Sequence, residues 1–306
     1  MRAAAILGLG CSPKDLKPFQ SGPAPRAEKI EWRMGMPASS HEAGVILLFG
    51  GDGTVHRHLG QLVRLGLPVL IVPAGSGNDF ARALGLRRVR DALAAWQKFS
   101  NGAAHVRAID LGVLTPLDQA ALNPESARDS GLVTRYFCCV AGVGLDGEVA
   151  QRANQLPRWL RGKGGYVLSL VPKIFTFAPL PIKISIPAEN NGQHWTPRSH
   201  QPTLLAAFAN TPVYGGGMRI APQAKMDDGI LDVCVVGGVN SFKLFCMFPT
   251  VYYGRHLRIR EVEYFRAARV RVETERPLDV YADGEYVCRT PVEVGIQHSA
   301  LKVVTP

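Results

Sequence analysis

The sequence has little of what marks membrane-spanning, disulfide-rich or fibrous proteins. No apolar run reaches the about 18 residues that a spanning helix needs, and the nearest, 165–182, contains Lys173 and three prolines. The chain has 6 cysteines, and the only close pair, Cys138-Cys139, is vicinal, which excludes CxxC metal spacing and a disulfide framework. Internal repeats and low-complexity tracts are absent. We therefore expect a soluble or peripherally membrane-attached protein of the reducing cytoplasm.

The composition is otherwise that of a globular protein with an anionic partner. Hydrophobic residues make up 46% and charged residues 20% of the sequence, which excludes a disordered chain. The length of 306 residues suggests two domains. Lys and Arg number 35 against 25 Asp and Glu, a net charge of +10. A nucleotide, an anionic membrane or a nucleic acid would fit this charge. Nucleic acid is disfavoured because the basic clusters lack interleaved aromatic residues and any binding motif.

The first part of the chain reads as an α/β domain with a parallel sheet. Short apolar runs at 3–9, 45–49 and 69–72 predict strands that are covered on both faces. Apolar residues at helical spacing follow, first at positions 55, 59, 62 and 63 and again from Val89 onward. In such a sheet the loops gather at the carboxyl ends of the strands, where ligands bind.

Beyond Val106 the pattern changes to short β-rich segments separated by glycine and proline, which predicts an antiparallel sandwich. The predicted strands are 109–113, 135–140, 182–186, 204–209, 231–236 and 269–272. The polar stretch 188–201 is predicted to be an exposed loop, and 166–177 an amphipathic helix cut by Pro172. We place the domains at 1–107 and 108–291, and residues 292–306 could return to the first domain.

Two glycine-rich turns carry the strongest chemical signal. Each follows a predicted strand and precedes a helix, so backbone N–H groups can bind a phosphate at the helix N-terminus. The first turn is Gly50-Gly51-Asp52-Gly53-Thr54, and the second is Pro73-Ala74-Gly75-Ser76-Gly77-Asn78-Asp79. Two such loops on neighbouring strands can converge on one nucleotide. A purely structural role for Asp52 or Thr54 as the helix N-cap is equally compatible with the sequence.

With these motifs the chain resembles the lipid kinases that share the diacylglycerol kinase catalytic domain, which include sphingosine and ceramide kinases. The resemblance spans residues 44–288. It rests on the two glycine loops, the second extended to Phe80-Ala81-Arg82, and on further motifs that occur in the same order. These are Gly142-Val143-Gly144-Leu145-Asp146, Gly162-Lys163 with Tyr166, Tyr214-Gly215-Gly216-Gly217, 221–232 and Asp283-Gly284-Glu285.

The resemblance implies a three-layer α/β nucleotide-binding domain, like that of NAD kinase and phosphofructokinase, followed by a β-sandwich. It implies an enzyme that binds ATP between these domains and transfers the γ-phosphoryl group to a lipid hydroxyl. Diacylglycerol, which would yield phosphatidic acid, is the expected acceptor at the inner face of an anionic membrane. The lipid pocket is expected in the sandwich near 166–177. A homodimer is compatible with the family.

The resemblance also implies roles for individual residues. One of Asp283 and Glu285 accepts the hydroxyl proton, and the pair is not separated at this stage; a plain hairpin turn is the structural alternative. Asp52 organises metal and substrate. Asp228 and the carbonyl groups of Lys225 and Ile230 would bind Mg²⁺, although Asp227-Asp228-Gly229 could simply be a turn that opens a strand. The nucleotide would be bound by Gly50, Gly51, Asp52, Gly53, Thr54, Pro73, Gly75, Ser76, Gly77, Asn78 and Asp79.

Two departures from the family pattern leave alternatives open. Residues 7–13 read LGLGCSP where the family has an Asn-Pro-x-Ser-Gly loop, and Cys138-Cys139 replaces a family asparagine. The altered first loop leaves open a catalytically weak regulator that binds nucleotide or lipid. A soluble kinase of the NAD kinase type is a second alternative, because such kinases also carry a GGDGT-type loop, although the second glycine loop and 214–217 disfavour it. Three basic sets could contact anionic headgroups or simply be solvated: 87–90, 158–163 and 255–260.

Overall fold

The computed structural model describes residues 1–21, 30–103, 105–118, 135–155, 165–188, 194–199 and 201–306. The chain divides into two compact units. The first consists of Met1–Asp110 with His298–Pro306, and the second of Leu111–Gln297. The strands β5 (His105–Pro116) and β16 (Val292–Thr305) belong partly to each unit.

The first unit is built on a parallel sheet. Its strands are β1 (Arg2–Leu7), β2 (Glu31–Met34), β3 (Val45–Gly50) and β4 (Val69–Pro73), in the order β2-β1-β3-β4 with β16 beside β4. Each of these pairs is parallel. The helices are α1 (Pro13–Gln20), α2 (Asp52–Leu65), α3 (Asp79–Ala83) and α4 (Val89–Ser100).

Burial explains why these segments form a layered domain. All six residues of β3 are buried, as expected for a strand covered on both faces. The helix α2 buries Val55, Leu59 and Leu62, the spacing that the sequence predicts. Trp96 of α4 donates its indole N–H to the carbonyl oxygen of Phe19 at 2.8 Å, which ties α4 to the end of α1.

The second unit is a β-sandwich. Besides parts of β5 and β16, its strands are β6 (Arg135–Phe137), β7 (Val140–Gly144), β8 (Leu180–Pro187), β9 (Trp195–Ser199), β10 (Pro202–Ala209), β11 (Leu231–Gly237), β12 (Val262–Ala267), β13 (Arg269–Thr274), β14 (Asp279–Ala282) and β15 (Glu285–Arg289). One antiparallel sheet has the order β15-β14-β7-β10-β11-β12, and the other has β9-β8-β13-β16, with β5 beside β16 and β6 beside β5. Buried apolar residues of both sheets, such as Phe208 and Val272, form one core.

Three helices and a short 3₁₀ segment complete the described part of this unit. They are α5 (Leu145–Gln155), α6 (Gly165–Thr176), α7 (Ser241–Val251) and the 3₁₀ segment Arg255–Arg258. The predicted break at Pro172 is wrong: α6 continues through it, because Leu170 and Ile174 on either side are buried in one cluster. Of the described helices, none is long and apolar enough to cross a membrane.

The predicted loop 188–201 is also wrong in part. Trp195–Ser199 forms β9, which pairs with β8 in an antiparallel arrangement. The guanidinium group of Arg271 lies 4.2 Å from the centre of the Trp195 ring. The polar residues around Trp195 in the sequence do not predict this cation–π contact. The neighbouring strand, and not local propensity, decides the conformation here.

Candidate active site

The two glycine loops meet at the carboxyl ends of β3 and β4. These strands pair in register with Gly50 opposite Pro73, and the Ala74 N–H donates to the Gly50 carbonyl oxygen at 3.0 Å. A Cβ atom on Gly75 would lie only 2.3 Å from the Cα atom of Gly51. Only glycine permits this approach, so the loops lie side by side as the sequence analysis expects.

Asp52 connects the two loops by hydrogen bonds. Its carboxylate accepts the backbone N–H groups of Asp79 at 3.0 Å and Phe80 at 3.1 Å, which begin α3. The N-cap of α2 is Gly51, so the N-cap alternative for Asp52 and Thr54 is wrong. Asp52 stands instead in the first turn of α2, where its charge is favourable to the helix dipole.

Asn78 shapes the second loop. It adopts a left-handed conformation with φ of 58°, its side-chain oxygen accepts the Gly75 N–H at 2.9 Å, and its side-chain N–H donates to the Gly75 carbonyl oxygen at 2.6 Å. The buried Asp79 pairs with Arg82. A Cβ atom on Gly77 would lie 2.7 Å from a carboxylate oxygen of Asp52. Ser76 therefore stands in a loop whose backbone is fixed from both sides.

A third strand end joins the same loops, and sequence reasoning only partly anticipated it. The Gly8 N–H donates to the Phe49 carbonyl oxygen at 2.7 Å, and a Cβ atom on Gly8 would lie 2.7 Å from the Thr54 hydroxyl. Residues 8–12 thus lead from β1 past the first glycine loop into α1. The N-terminus of α2, which contains Gly53, begins among these loops and provides the positive end of a helix dipole. This arrangement is suited to bind phosphate.

The structure separates the two carboxylates of the Asp283-Gly284-Glu285 turn. Asp283 accepts the N–H groups of Cys138 and Cys139, each at 2.8 Å, and of Val140 at 3.3 Å. Asp283 has a left-handed backbone conformation with φ of 52°, and its carboxylate faces residues 138–140. Glu285 is exposed at the start of β15. Asp283 is therefore bound to the backbone, whereas the Glu285 side chain is exposed to solvent.

The Asp228 turn contains an unsatisfied buried oxygen. One carboxylate oxygen of Asp228 pairs with Arg266, while Oδ1 is buried and accepts no hydrogen bond from the described residues. Nearby Asp232 accepts the Tyr264 hydroxyl at 2.6 Å, and burial raises the pKa of Asp232. Burial also raises the pKa of Tyr264, with the Asp232 carboxylate acting in the same direction. A buried carboxylate oxygen without a donor fits a cation ligand.

An apolar cavity lies among the helices of the second unit. Its volume is about 640 Å³ with its open mouth included. Leu170 and Ile174 of α6 and Leu244 and Phe248 of α7 contribute to its wall. Two further lining residues pair with each other, since the Tyr214 hydroxyl donates to Asp146 at 2.9 Å. The sequence motifs contain both residues, but their pairing required the fold.

His256 also lines this cavity, so the prediction that the whole basic set 255–260 is exposed is wrong at this residue. It is 1% exposed and its Nε2 lies 3.1 Å from the Ile220 carbonyl oxygen, so it cannot belong to an exposed basic surface. Arg255, Arg258 and Arg260 in the same stretch are exposed. The set at 158–163 lies outside the described residues, as do Gly162 and Lys163.

We expect His256 to make stability depend on pH. Burial lowers its pKa below the usual 6.5, and the Ile220 acceptor acts weakly in the opposite direction. Because His256 has the lower pKa in the folded state, the unfolded chain takes up the proton first as the pH falls below 6.5. The contribution of His256 to the free energy of unfolding is therefore complete above pH 6.5. It is lost as the pH falls from 6.5 through the lower pKa of the folded state. Urea unfolding at about pH 7.5 and about pH 5.5 measures this loss.

His256→Gln is the matched variant, because glutamine retains an N–H donor and does not titrate. Its pH dependence should be shallower than that of the wild type, and other groups such as Asp232 cancel in the comparison. Equal slopes for the two proteins would contradict the prediction.

Comparisons with known proteins agree with this architecture. Residues 27–114 match the diacylglycerol kinase catalytic domain, and residues 139–305 match the YegS C-terminal NAD kinase beta sandwich-like domain. Diacylglycerol kinase of Mycobacterium tuberculosis (strain H37Rv) is 33% identical over 261 residues, 85% of this chain and 76% of that protein. Diacylglycerol kinase of Bacillus subtilis is 27% identical over 271 residues, 88% of this chain and 80% of that protein.

A solved structure shows the same fold. The crystal structure of a diacylglycerol kinase from Bacillus anthracis superposes with a TM-score of 0.65 at 18% identity, and the match covers 100% of this chain and 96% of that one. The predicted fold class, an α/β domain followed by a β-sandwich, is therefore confirmed. The chain belongs to the diacylglycerol kinase catalytic-domain family, and it is a lipid kinase.

Proposed function

We propose that this lipid kinase transfers the γ-phosphoryl group of ATP to the hydroxyl group of diacylglycerol and forms phosphatidic acid. The observation that carries the choice of a lipid acceptor is the apolar cavity of the second unit. The names of the relatives support the same acceptor. The positive charge of the chain fits both the nucleotide and an anionic membrane.

The glycine loops would bind the ATP phosphates. Backbone N–H groups of Gly53, Ser76 and Gly77 would supply donors without bulk, and Asp52 keeps the two loops together. The N–H groups of Ala74, Gly75 and Asp79 already donate within the loops. Phosphoryl transfer needs mainly positioning and charge neutralisation, which a fixed backbone cradle provides.

Glu285 is the proposed proton acceptor. In the proposed step the lipid hydroxyl oxygen bonds to the γ-phosphorus, the bond to the ADP oxygen breaks, and the hydroxyl proton passes to the Glu285 carboxylate. Asp283 is a positioning residue, because its three N–H donors fix the turn on which Glu285 stands.

Mg²⁺ would be bound at the Asp228 turn. The buried Oδ1 of Asp228 supplies an oxygen that lacks a donor among the described residues. The carbonyl groups of Lys225 and Ile230 are the further proposed ligands, consistent with the hard oxygen donors that this cation prefers. Such a cation would neutralise the carboxylate and stabilise the turn that precedes β11. A second Mg²⁺ that accompanies ATP would neutralise phosphate charge.

The lipid acyl chains would occupy the apolar cavity, whose wall includes Leu170, Ile174, Leu244 and Phe248. The Asp146–Tyr214 pair lies in the lining of this cavity, and its hydrogen bond fixes the two side chains there. In this proposal the lipid lies beside α6, the segment near which the sequence analysis expects the pocket.

The helices α6 and α7 carry exposed aromatic side chains. Phe242, Phe245 and Phe175 are 75%, 45% and 56% exposed, and the rings of Phe175 and Phe245 lie 5.9 Å apart. Tyr253 is 74% exposed in the segment that leads to the exposed arginines 255, 258 and 260. An aromatic surface beside cationic residues matches an anionic bilayer, whose lipids would then enter the adjoining cavity.

We expect the variant Phe242→Ser/Phe245→Ser to bind anionic vesicles at least about tenfold more weakly, because two inserted aromatic rings are lost. Co-sedimentation with phosphatidylcholine–phosphatidylglycerol vesicles measures this. Met34→Ser is the control, since Met34 is 51% exposed on the first unit. Equal vesicle binding by the aromatic variant and the control would disprove the docking surface.

The overall proposal is tested by transfer of labelled γ-phosphate from ATP and Mg²⁺ into organic-extractable product. Separate micelles carry diacylglycerol, phosphatidylglycerol, sphingosine, ceramide or undecaprenol. Label in diacylglycerol supports the proposal, and label in another lipid changes the acceptor. Label in NAD alone would favour a soluble kinase, whereas ATP binding without any transfer would favour the regulator.

A further inference from the structure

A second group of ligand atoms lies at the base of the Asp283 turn. The thiol groups of Cys138 and Cys139 and a carboxylate oxygen of Asp283 all lie within 4.8 Å of one another. Cys138 and Cys139 are 0% and 3% exposed, and Asp283 is partly exposed, so the group reaches solvent on its carboxylate side. The proposed phosphoryl transfer does not use either thiol.

The separations match those of a zinc centre. The two sulfur atoms are 3.9 Å apart, and the Cys138 sulfur lies 3.3 Å from Asp283 Oδ2. Tetrahedral zinc with sulfur at about 2.3 Å and oxygen at about 2.1 Å requires about 3.8 Å between two sulfurs and about 3.6 Å between sulfur and oxygen. These two separations differ from the required values by only a few tenths of an ångström, and the Cys139 sulfur lies within 4.8 Å of the Asp283 oxygen.

The backbone holds this arrangement in place. Asp283 Oδ1 accepts the N–H groups of Cys139 and Val140, and Oδ2 accepts the Cys138 N–H. From the other side, Asn210 donates to the carbonyl oxygens of Cys138 and Cys139 at 3.1 and 2.8 Å. The Cys138 thiol donates to Oδ2, so a cation bound there would take the place of the thiol proton. The backbone bonds can remain, because a carboxylate has about four acceptor positions.

We propose that Cys138, Cys139 and Asp283 form a binding site for a thiophilic divalent cation, zinc in the first instance, with water as the fourth ligand. Binding forms two metal–sulfur bonds and one metal–oxygen bond and releases the two thiol protons to the solvent. No electron transfer is involved. Cadmium, which also prefers thiolate ligands, should bind the same site.

Bound zinc is expected to inhibit the kinase. A divalent charge fixed to Asp283 stands within the turn that carries Glu285, and it makes proton acceptance by that neighbouring carboxylate less favourable. This consequence rests on the proposed function, whereas the binding itself does not. Spectroscopic binding and inhibition are therefore measured separately.

The binding experiment uses cobalt as a spectroscopic probe on the full chain. The exposed Cys246 and the half-buried Cys11 are first changed to serine to remove more accessible thiols. Titration with Co²⁺ should give a thiolate-to-cobalt charge-transfer band that saturates at one equivalent and is displaced by Zn²⁺. Competition with a chromophoric chelator then gives the zinc affinity.

Cys138→Ser and Cys139→Ser should each weaken zinc binding by at least the about 10–100-fold that loss of an outer-shell partner costs, since each removes a direct ligand. Cys234→Ala is the matched control, because Cys234 is a buried thiol on β11 outside the group. Circular dichroism confirms that each variant folds. Absence of the band in the parent, or its persistence in Cys138→Ser/Cys139→Ser, would overturn the site, and the first result does not depend on any variant.

Inhibition is measured by adding zinc to the labelled-phosphate assay and reversing it with a chelator that prefers zinc to magnesium. Inhibition in the parent that is lost in Cys138→Ser/Cys139→Ser supports the regulatory consequence. If the protein shows the cobalt band but has no lipid kinase activity, the metal site is supported and the proposed reaction is disproved. Activity that zinc does not change would disprove the inhibitory effect.

Discussion

Glu285→Gln should reduce the single-turnover rate of phosphoryl transfer by about 10²–10⁴, because a positioned general base contributes a factor of that size. ATP affinity should change by no more than a few-fold, and the melting temperature should be unchanged, since Glu285 is exposed. Rapid-quench kinetics, nucleotide binding and thermal unfolding measure the three quantities.

Asp283→Asn should behave differently because its carboxylate accepts three backbone N–H groups. Hydrogen bonds to a charged group contribute about 1.5–3 kcal/mol each, so this variant should lose stability together with activity. Glu275→Gln is the control, since Glu275 is another exposed glutamate of the same unit. A wild-type rate in Glu285→Gln would exclude Glu285 as the base.

Gly75→Ala should weaken ATP binding by about tenfold or more and destabilise the first unit by about 1–3 kcal/mol. The added Cβ would lie 2.3 Å from the Cα atom and 2.8 Å from the nitrogen of Gly51, and neither backbone atom can rotate away. The loops must separate, and the phosphate donors move with them. Calorimetric ATP binding and urea unfolding measure the two effects.

Gly60→Ala is the matched control for this change. Gly60 lies inside α2, and a Cβ atom there would meet nothing within 4 Å. Because alanine favours helix by about 1 kcal/mol over glycine, the control should be as stable as the wild type or more so. Wild-type ATP affinity in Gly75→Ala would mean that the contact between the loops is unimportant for the nucleotide.

The sequence determined the parts of this protein that depend on local pattern. Continuous apolar runs identified β3 and β4, and the apolar spacing after Gly53 identified α2, because both elements are stabilised by burial of the residues that make the pattern. The ordered motifs predicted the family. The pairing of β3 with β4 and the contact of Gly51 with Gly75 follow from two glycine loops that end neighbouring strands.

Only the tertiary structure decided which side chains meet across long stretches of sequence. β9 forms because β8 lies beside it, and α6 passes Pro172 because its neighbours bury Leu170 and Ile174. Asp283 and Glu285 look alike in the sequence, yet 145 positions separate Asp283 from the Cys138 N–H that it accepts. Hydrogen bonds and burial over such separations carry no local pattern, so the fold alone assigned Asp283 to the backbone and left Glu285 exposed to solvent.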